Sequence, residues 1–246
     1  MRIVAWNCQM AFHKKHQYLS ELRPDIAVIP ECANPEIIKG RCPEFTFNDC
    51  DWAGANKHKG LAVFAFNDIT LNRDDCFDSR FSQYIPLKAK VANKSALSML
   101  AIWSFNKRRK IKGINEPTIA AFEHYASFLE SSNAIAAGDF NNCPAFDKPS
   151  RKNKMSNTVA FMQRCGLKSA YHSFNKCNLG DEAEPTHFWR KGEKEYHIDY
   201  CFVPSNSSIQ NVRVGDRNQW IEHSDHAPLI VDLNGVQTRQ TVRGDS

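Results

Sequence analysis

The chain lacks any uninterrupted apolar run near the ~20 residues a membrane-spanning helix needs, which excludes an integral helical membrane protein. It also lacks CxxC pairs and any repeated cysteine spacing, and its nine cysteines are an odd number. Zinc ribbons and redox dithiols therefore have no footing, and a secreted disulfide framework is disfavoured. No internal repeat or linker is visible. The N-terminus shows no cleavable leader, since Arg2 runs straight into the strand-like Ile3-Val4-Ala5-Trp6. The expectation is a cytoplasmic protein with reduced thiols and no stable membrane insertion. A dominant charge of one sign is missing too. Against 27 Asp and Glu stand 32 Lys and Arg, a net +5 that permits a polyanionic partner without demanding one.

What the 246 residues do contain is 42% hydrophobic side chains, enough for one sizeable core and too many for wholesale disorder. Short apolar runs recur, each ending on a polar residue: Ile3 to Trp6, Ile26 to Pro30, Leu61 to Phe66 and Leu97 to Trp103. Ala134 to Gly138, Ile198 to Val203 and Leu229 to Leu233 continue the series. Runs of this length, rich in Val, Ile and Phe, read as buried strands. Helical spacing appears over about 14–22, 116–131 and 155–165, the second opening with Pro117 at its first turn. More strands than a parallel βαβ series supplies, irregularly interleaved with helices, predict two mixed β-sheets packed face to face with helices outside. Residues 1–234 read as a single domain and 235–246 as a flexible C-terminal tail.

The residues that terminate the runs carry the chemistry. Asn7, Glu31, Asp139, Asn141, Asp199, Asp225 and His226 all fall at or just past strand ends. If those ends converge, four carboxylates, two carboxamides and an imidazole share one pocket. Their mutual repulsion must then be offset by protons or a cation. Hard oxygen donors favour magnesium or manganese, with calcium open, and suit metal-assisted attack of water on phosphorus. Each residue also has an ordinary explanation, because Asn and Asp after a strand commonly open a turn.

The ordered set Trp6-Asn7, Pro30-Glu31, Gly138-Asp139-Phe140-Asn141, His197-Ile198-Asp199-Tyr200 and Ser224-Asp225-His226-Ala227-Pro228 resembles the endonuclease/exonuclease/phosphatase family. The resemblance covers roughly residues 2 to 233. It implies a four-layer α/β sandwich and a divalent-metal-dependent phosphodiesterase, with DNA or RNA as substrate. A small soluble or lipid phosphoester is the rival substrate, and a catalytically silent binding protein the rival of another class. Carried over by position, the resemblance makes Glu31 a metal ligand with Asn7 beside it and Asp225 near the same ion. Asp139 orients or deprotonates the attacking water, and Asn141 donates to the phosphate. His226 stands at the scissile phosphate with Asp199 orienting it. Whether Asp139 or His226 is the base stays undecided at this level.

Further substrate contacts are expected from Lys59, from Arg108 and Arg109 in the basic run after Trp103, and from His187, Trp189 and His197. Each has a bland alternative, a solvated loop for the basic residues and core packing for the aromatic ones. One departure is Trp103, standing where several relatives end a strand on histidine. An indole cannot transfer a proton at neutral pH, which argues against a two-histidine mechanism. Trp103 with Asn106 is at most a distorted echo of the tyrosine–asparagine pair of abasic endonucleases, and His197 replaces an arginine of several relatives.

Overall fold

The computed structural model of the chain describes residues 1–90, 96–104, 111–189 and 193–234. The tail expected over 235–246, together with Asn106, Arg108 and Arg109, lies outside the described residues. In chain order the first half gives β1 (Arg2–Ala5), α1 (His16–Glu21), β2 (Ile26–Cys32), α2 (Pro35–Arg41), β3 (Asp49–Asn56) and β4 (Lys59–Ala65). Next come β5 (Thr70–Arg73), β6 (Tyr84–Lys90), β7 (Leu97–Trp103), α3 (Pro117–His124), α4 (Ala126–Leu129) and β8 (Ala134–Asp139). After these are α5 (Met155–Arg164), β9 (Leu167–Ser169), α6 (Ala170–Asn175), β10 (His187–Trp189) and β11 (Lys194–Tyr196). The chain closes with β12 (Asp199–Pro204), β13 (Ile209–Val214), α7 (Arg217–Trp220) and β14 (Leu229–Leu233).

Two six-stranded sheets result, ordered β13-β14-β1-β2-β4-β3 and β5-β6-β7-β8-β12-β9, with β10 and β11 a separate hairpin. Each sheet is mixed, with one parallel pair at its centre, β1 with β2 and β7 with β8. Strands β1, β2, β4 and β14 of one sheet face β7, β8 and β12 of the other. The expected two-sheet α/β sandwich is therefore the architecture observed.

The two-residue period of a strand shows why the layers form. On β7, Leu97, Met99, Ala101 and Trp103 join the cluster shared by both sheets, whereas Leu100 and Ile102 join a second cluster. Ile135 and Ala137 of β8, and Cys201 and Val203 of β12, also enter the inter-sheet cluster. Ala134, Ala136, Tyr200 and Phe202 turn the other way, onto Phe122 of α3, Leu129 of α4 and Met162 of α5. By the same period, Asp139 and Asp199 belong to the inter-sheet face, at its rim.

One expectation needs correction. The helix expected over 116–131 is interrupted at Tyr125, whose buried ring packs between Phe81 and Tyr84 and whose hydroxyl accepts from Asp78 N at 3.2 Å. Strand β6 carries Pro86, which removes a ladder donor. It is tolerated because β5 pairs only with Leu87 to Lys90, so Pro86 lies beyond that ladder. All nine cysteines are free. No helix among the described residues is long and apolar enough to cross a membrane.

The first and last strands are clamped by an ion pair. Arg2 Nε donates to Asp232 Oδ1 at 2.7 Å and Arg2 Nη2 to Asp232 Oδ2 at 3.1 Å. The Arg2 hydrogen bond holds the Asp232 carboxyl below its ordinary value, with burial opposing. Its stabilisation is thus fully present above the unfolded value of about 3.9 and is lost as pH falls through the folded one. Asp232→Asn is expected to lower stability at pH 7 by about 1 kcal/mol. The variant should also flatten the decline of stability between about pH 5 and 3, as read by denaturant titration at each pH.

Candidate active site

The site begins with a register. Antiparallel pairing of β8 with β12 sets Asp139 directly opposite Asp199, and parallel pairing of β7 with β8 sets Trp103 beside Asp139. Both carboxyl groups are fully buried. Like charges directly opposite one another on a sheet destabilise it, so the arrangement persists only with compensation. His226 supplies it, its Nδ1–H donating to Asp199 Oδ2 at 2.8 Å. Asn7 Nδ2 and Asn141 Nδ2 each donate to Asp139 Oδ2 at 3.0 Å, and Asn141 N donates to Asp139 Oδ1 at 2.8 Å. Donor atoms of Asp139, Asp199 and His226 all lie within 4.8 Å of one another.

Local backbone choices aim these groups. Gly138 has φ 140°, and a Cβ there would stand 1.9 Å from Ile102 O, so glycine alone lets β8 approach β7 just before Asp139. Asn141 adopts φ 48°, the left-handed conformation that asparagine tolerates, closing an Asx turn onto Asp139. Strand β2 bulges against β4 between Pro30 and Cys32, and Glu31 sits there at φ 60°. Such a bulge re-aims one side chain, at a backbone cost of ~1–3 kcal/mol for a left-handed non-glycine residue. Glu31 Oε2 lies 2.8 Å from Lys59 Nζ, and that ammonium is also 5.5 Å from the Trp103 ring centroid.

Several supporting contacts were not legible in the sequence. Thr186 Oγ1, fully buried, accepts from both Ile198 N and Asp199 N at 3.0 Å and so fixes the start of β12. Ser224 Oγ donates to Asn7 O at 2.7 Å while accepting from His226 N at 3.0 Å, which ties the first strand's end to the last loop. Gln9 Oε1 accepts from Asp225 N at 3.1 Å. Lys15 donates to Cys8 O at 2.7 Å. Its pKa is lowered by burial, while the nearby Asp225 and Glu31 act to raise it. Ser224 carried a signal, as a hydroxyl two residues before the histidine in the Ser-Asp-His motif, and Thr186 one as the first residue of Thr186-His187-Phe188-Trp189.

Burial and charge displace the titrations. The Asp139 carboxyl is pushed up to about 7, by burial and then by the Asp199 charge, against the opposing pull of His226 and its hydrogen bonds. Burial alone would depress His226, but Asp199, Asp139 and Asp225 outweigh it and raise the imidazole to about 10. The ring of His187 stands 4.6 Å from that of His226 and is driven down to about 4, by burial and by its neighbour's positive charge. Asp225 is raised by burial, with Glu31 and Asp199 adding to it and His226 opposing.

Among the His, Cys, Asp and Glu side chains of the described residues, the group close enough together to hold one cation is Asp139, Asp199 and His226. Glu31, Asp225 and Asn7, the residues expected to hold it, offer hard oxygen donors, and Asp225 is raised first by burial, with the Glu31 charge adding to it. Such a set suits magnesium or manganese. The other expected contacts divide. Lys59, Trp103 and Asn141 line one cavity with Glu31, and His187 abuts His226. Trp189 is 39% exposed on its hairpin, so the core-packing alternative does not hold for it. His197 is displaced from the substrate contacts expected of it. It is buried, its Nδ1 bonds to Glu184 O at 2.8 Å, and its ring packs on Tyr171.

The two-sheet frame is the fold of endonuclease/exonuclease/phosphatase structures. A 3'-5' exonuclease from Neisseria meningitidis superposes with TM-score 0.67 at 18% identity, covering 95% of this chain and 100% of that one. An AP endonuclease from Leishmania major gives 0.69 at 12%, covering 94% and 86%. An endonuclease/exonuclease/phosphatase from Beutenbergia cavernae gives 0.63 at 14%, covering 95% and 71%. By sequence, no family model and no curated protein matches.

Thr186→Val keeps the shape of the side chain but strands two buried amides. It is expected to destabilise the fold by about 2 kcal/mol or more, measured by urea denaturation, whereas Thr186→Ser should recover most of the loss.

Proposed function

We propose that the chain is a divalent-metal-dependent phosphodiesterase that hydrolyses nucleic acid. The observation carrying this reading is the buried triad in which Asp139 and the Asp199–His226 pair meet at one rim of the sandwich. The structural neighbours, among them an exonuclease and AP endonucleases, support it, as does the positive net charge.

Each side chain takes a role that its surroundings favour. An Asp139 carboxyl near 7 is matched to accepting a proton from water at neutral pH. His226, held cationic by Asp199, is suited to stabilising negative charge that develops on the phosphoryl oxygens, and as a cation it does not serve as the base. Asn7 and Asn141 hold the Asp139 carboxylate in line. Glu31, with Asn7 and Asp225, would hold the metal, whose chemistry is to polarise a phosphoryl oxygen as a Lewis acid.

Asp139→Asn and His226→Ala are each expected to cut kcat on a single-stranded oligonucleotide by roughly 10²–10⁴-fold with magnesium or manganese present. Circular dichroism would check that both variants fold, and full activity in either removes that residue from the mechanism. Turnover of bis(p-nitrophenyl) phosphate without cleavage of any DNA or RNA overturns the nuclease reading. In the wild type, kcat/KM should rise as Asp139 loses its proton through about pH 7 and fall as His226 loses its own near 10.

A further inference from the structure

Glu31 stands apart from the other acids of the site. It is expected to hold a metal, yet it falls outside the close group of Asp139, Asp199 and His226. Its Oε2 is instead 2.8 Å from Lys59 Nζ, and the two side chains are 19% and 38% exposed. The pairing follows from the sheet. Glu31 is the extra residue of the β2 bulge, between Pro30 opposite Leu61 and Cys32 opposite Gly60, and Lys59 precedes that Gly60 on β4. The backbone around Lys59 is fixed. A Cβ on Gly60 would stand 2.5 Å from Ala53 O, and the turn before it is tied down by Asn34 N, which donates to Lys57 O at 2.8 Å. Freedom is left to the four-carbon stem of the lysine.

Lys15 and Lys59 both bring an ammonium to this rim, and they are held differently. Lys15 donates to a backbone carbonyl, Cys8 O, at 2.7 Å, with Asp225 and Glu31 among the charges that act on it. Lys59 rests on a carboxylate that a divalent cation would also claim. It has a second resting place, because its Nζ already lies 5.5 Å from the centroid of the Trp103 indole, within range of a cation–π contact. Glu31, Lys59, Trp103 and Asn141 line one cavity of ≈ 310 Å³, which meets Asp139 through Asn141.

We propose that Lys59 is an exchangeable counter-ion, which holds the Glu31 carboxylate until a divalent cation takes its place and then withdraws over the Trp103 indole to face the cavity. The inference rests on the phosphodiesterase reading above and adds to it a regulation of the same site, in which metal loading releases the lysine. A dication and an ammonium on one carboxylate repel each other, and a partly exposed ion pair is weak enough to give way. Magnesium sheds its water reluctantly and takes only one or two carboxylates. A lysine already seated on Glu31 therefore lowers the affinity for the ion. The released ammonium is a point charge on a flexible stem, of the kind that binds phosphate. Lys59 thus turns to the cavity only when the cation is in place.

The test follows Lys59 itself, without turnover. The full chain is treated briefly with acetic anhydride in magnesium or in EDTA, and acetylation of each lysine is read by peptide mass spectrometry. Expected is a rise of at least fivefold at Lys59 with magnesium, and of less than twofold at Lys57, which is exposed on the same turn. Glu31→Gln should give Lys59 the high rate already in EDTA. In calorimetric titration with manganese, Lys59→Met should bind at least tenfold more tightly than the wild type, and Lys59→Arg, which keeps a counter-ion, within threefold of it. A Lys59 rate that magnesium leaves unchanged overturns the proposal, as does a low rate in Glu31→Gln under EDTA. An affinity for manganese unaltered in Lys59→Met, or no manganese binding by either protein, overturns it too. Labelling of the wild type needs no variant and so decides the matter even where Lys59→Met fails to fold. Failure of the phosphodiesterase reading looks different, as a Lys59 that responds to the metal in a protein that turns over no phosphodiester.

Discussion

Two carboxyl groups facing each other across a buried ladder pair, Asp139 and Asp199, set the terms for everything around them. The sheet register forces them together, and neither can reach bulk water. Folding must therefore deliver a counter-charge and hydrogen-bond donors from elsewhere in the chain. His226 arrives from the loop before β14, Asn7 from the end of β1, and Asn141 from the turn after β8. Further out, Thr186 and Ser224 exist in this arrangement to hold those groups still. One Asp199 oxygen nonetheless stays without a partner. Electrostatic tension of this kind opposes stability, and it is the means by which an acid and an imidazole acquire opposite tasks at one pH.

Legibility of the fold followed burial. In the first sheet the interior strands are β14, β1, β2 and β4, and in the second β6, β7, β8 and β12. All of these except β6 announce themselves as apolar runs, because a strand covered on both faces must be apolar on both. Strand β6 hides behind Pro86. The edge strands β13, β3, β5 and β9 read as polar or broken segments, since one flank and part of a face meet water.

The candidate site was legible where a motif carries it. Gly138, Asp139, Asn141, Asp225 and His226 combine residue type with a turn that only such residues make. Glu31 was legible through the Pro30-Glu31 motif, but the bulge that aims it is revealed by no local pattern. His197 takes its core-packing alternative, because it precedes the first residue of β12 and turns to Glu184 and Tyr171. Thr186 and Lys15 act through distant partners, and a single sequence holds no trace of such contacts.

Strand β1 sits inside its sheet, hydrogen-bonded on one side to β2 and on the other to β14, the last strand among the described residues. During vectorial synthesis it therefore waits with one flank bare until the end of the domain emerges. The imidazole travels in that same closing segment. A nascent chain thus cannot assemble the triad before His226 has emerged, and any product truncated ahead of it would leave paired acids with no cation of their own.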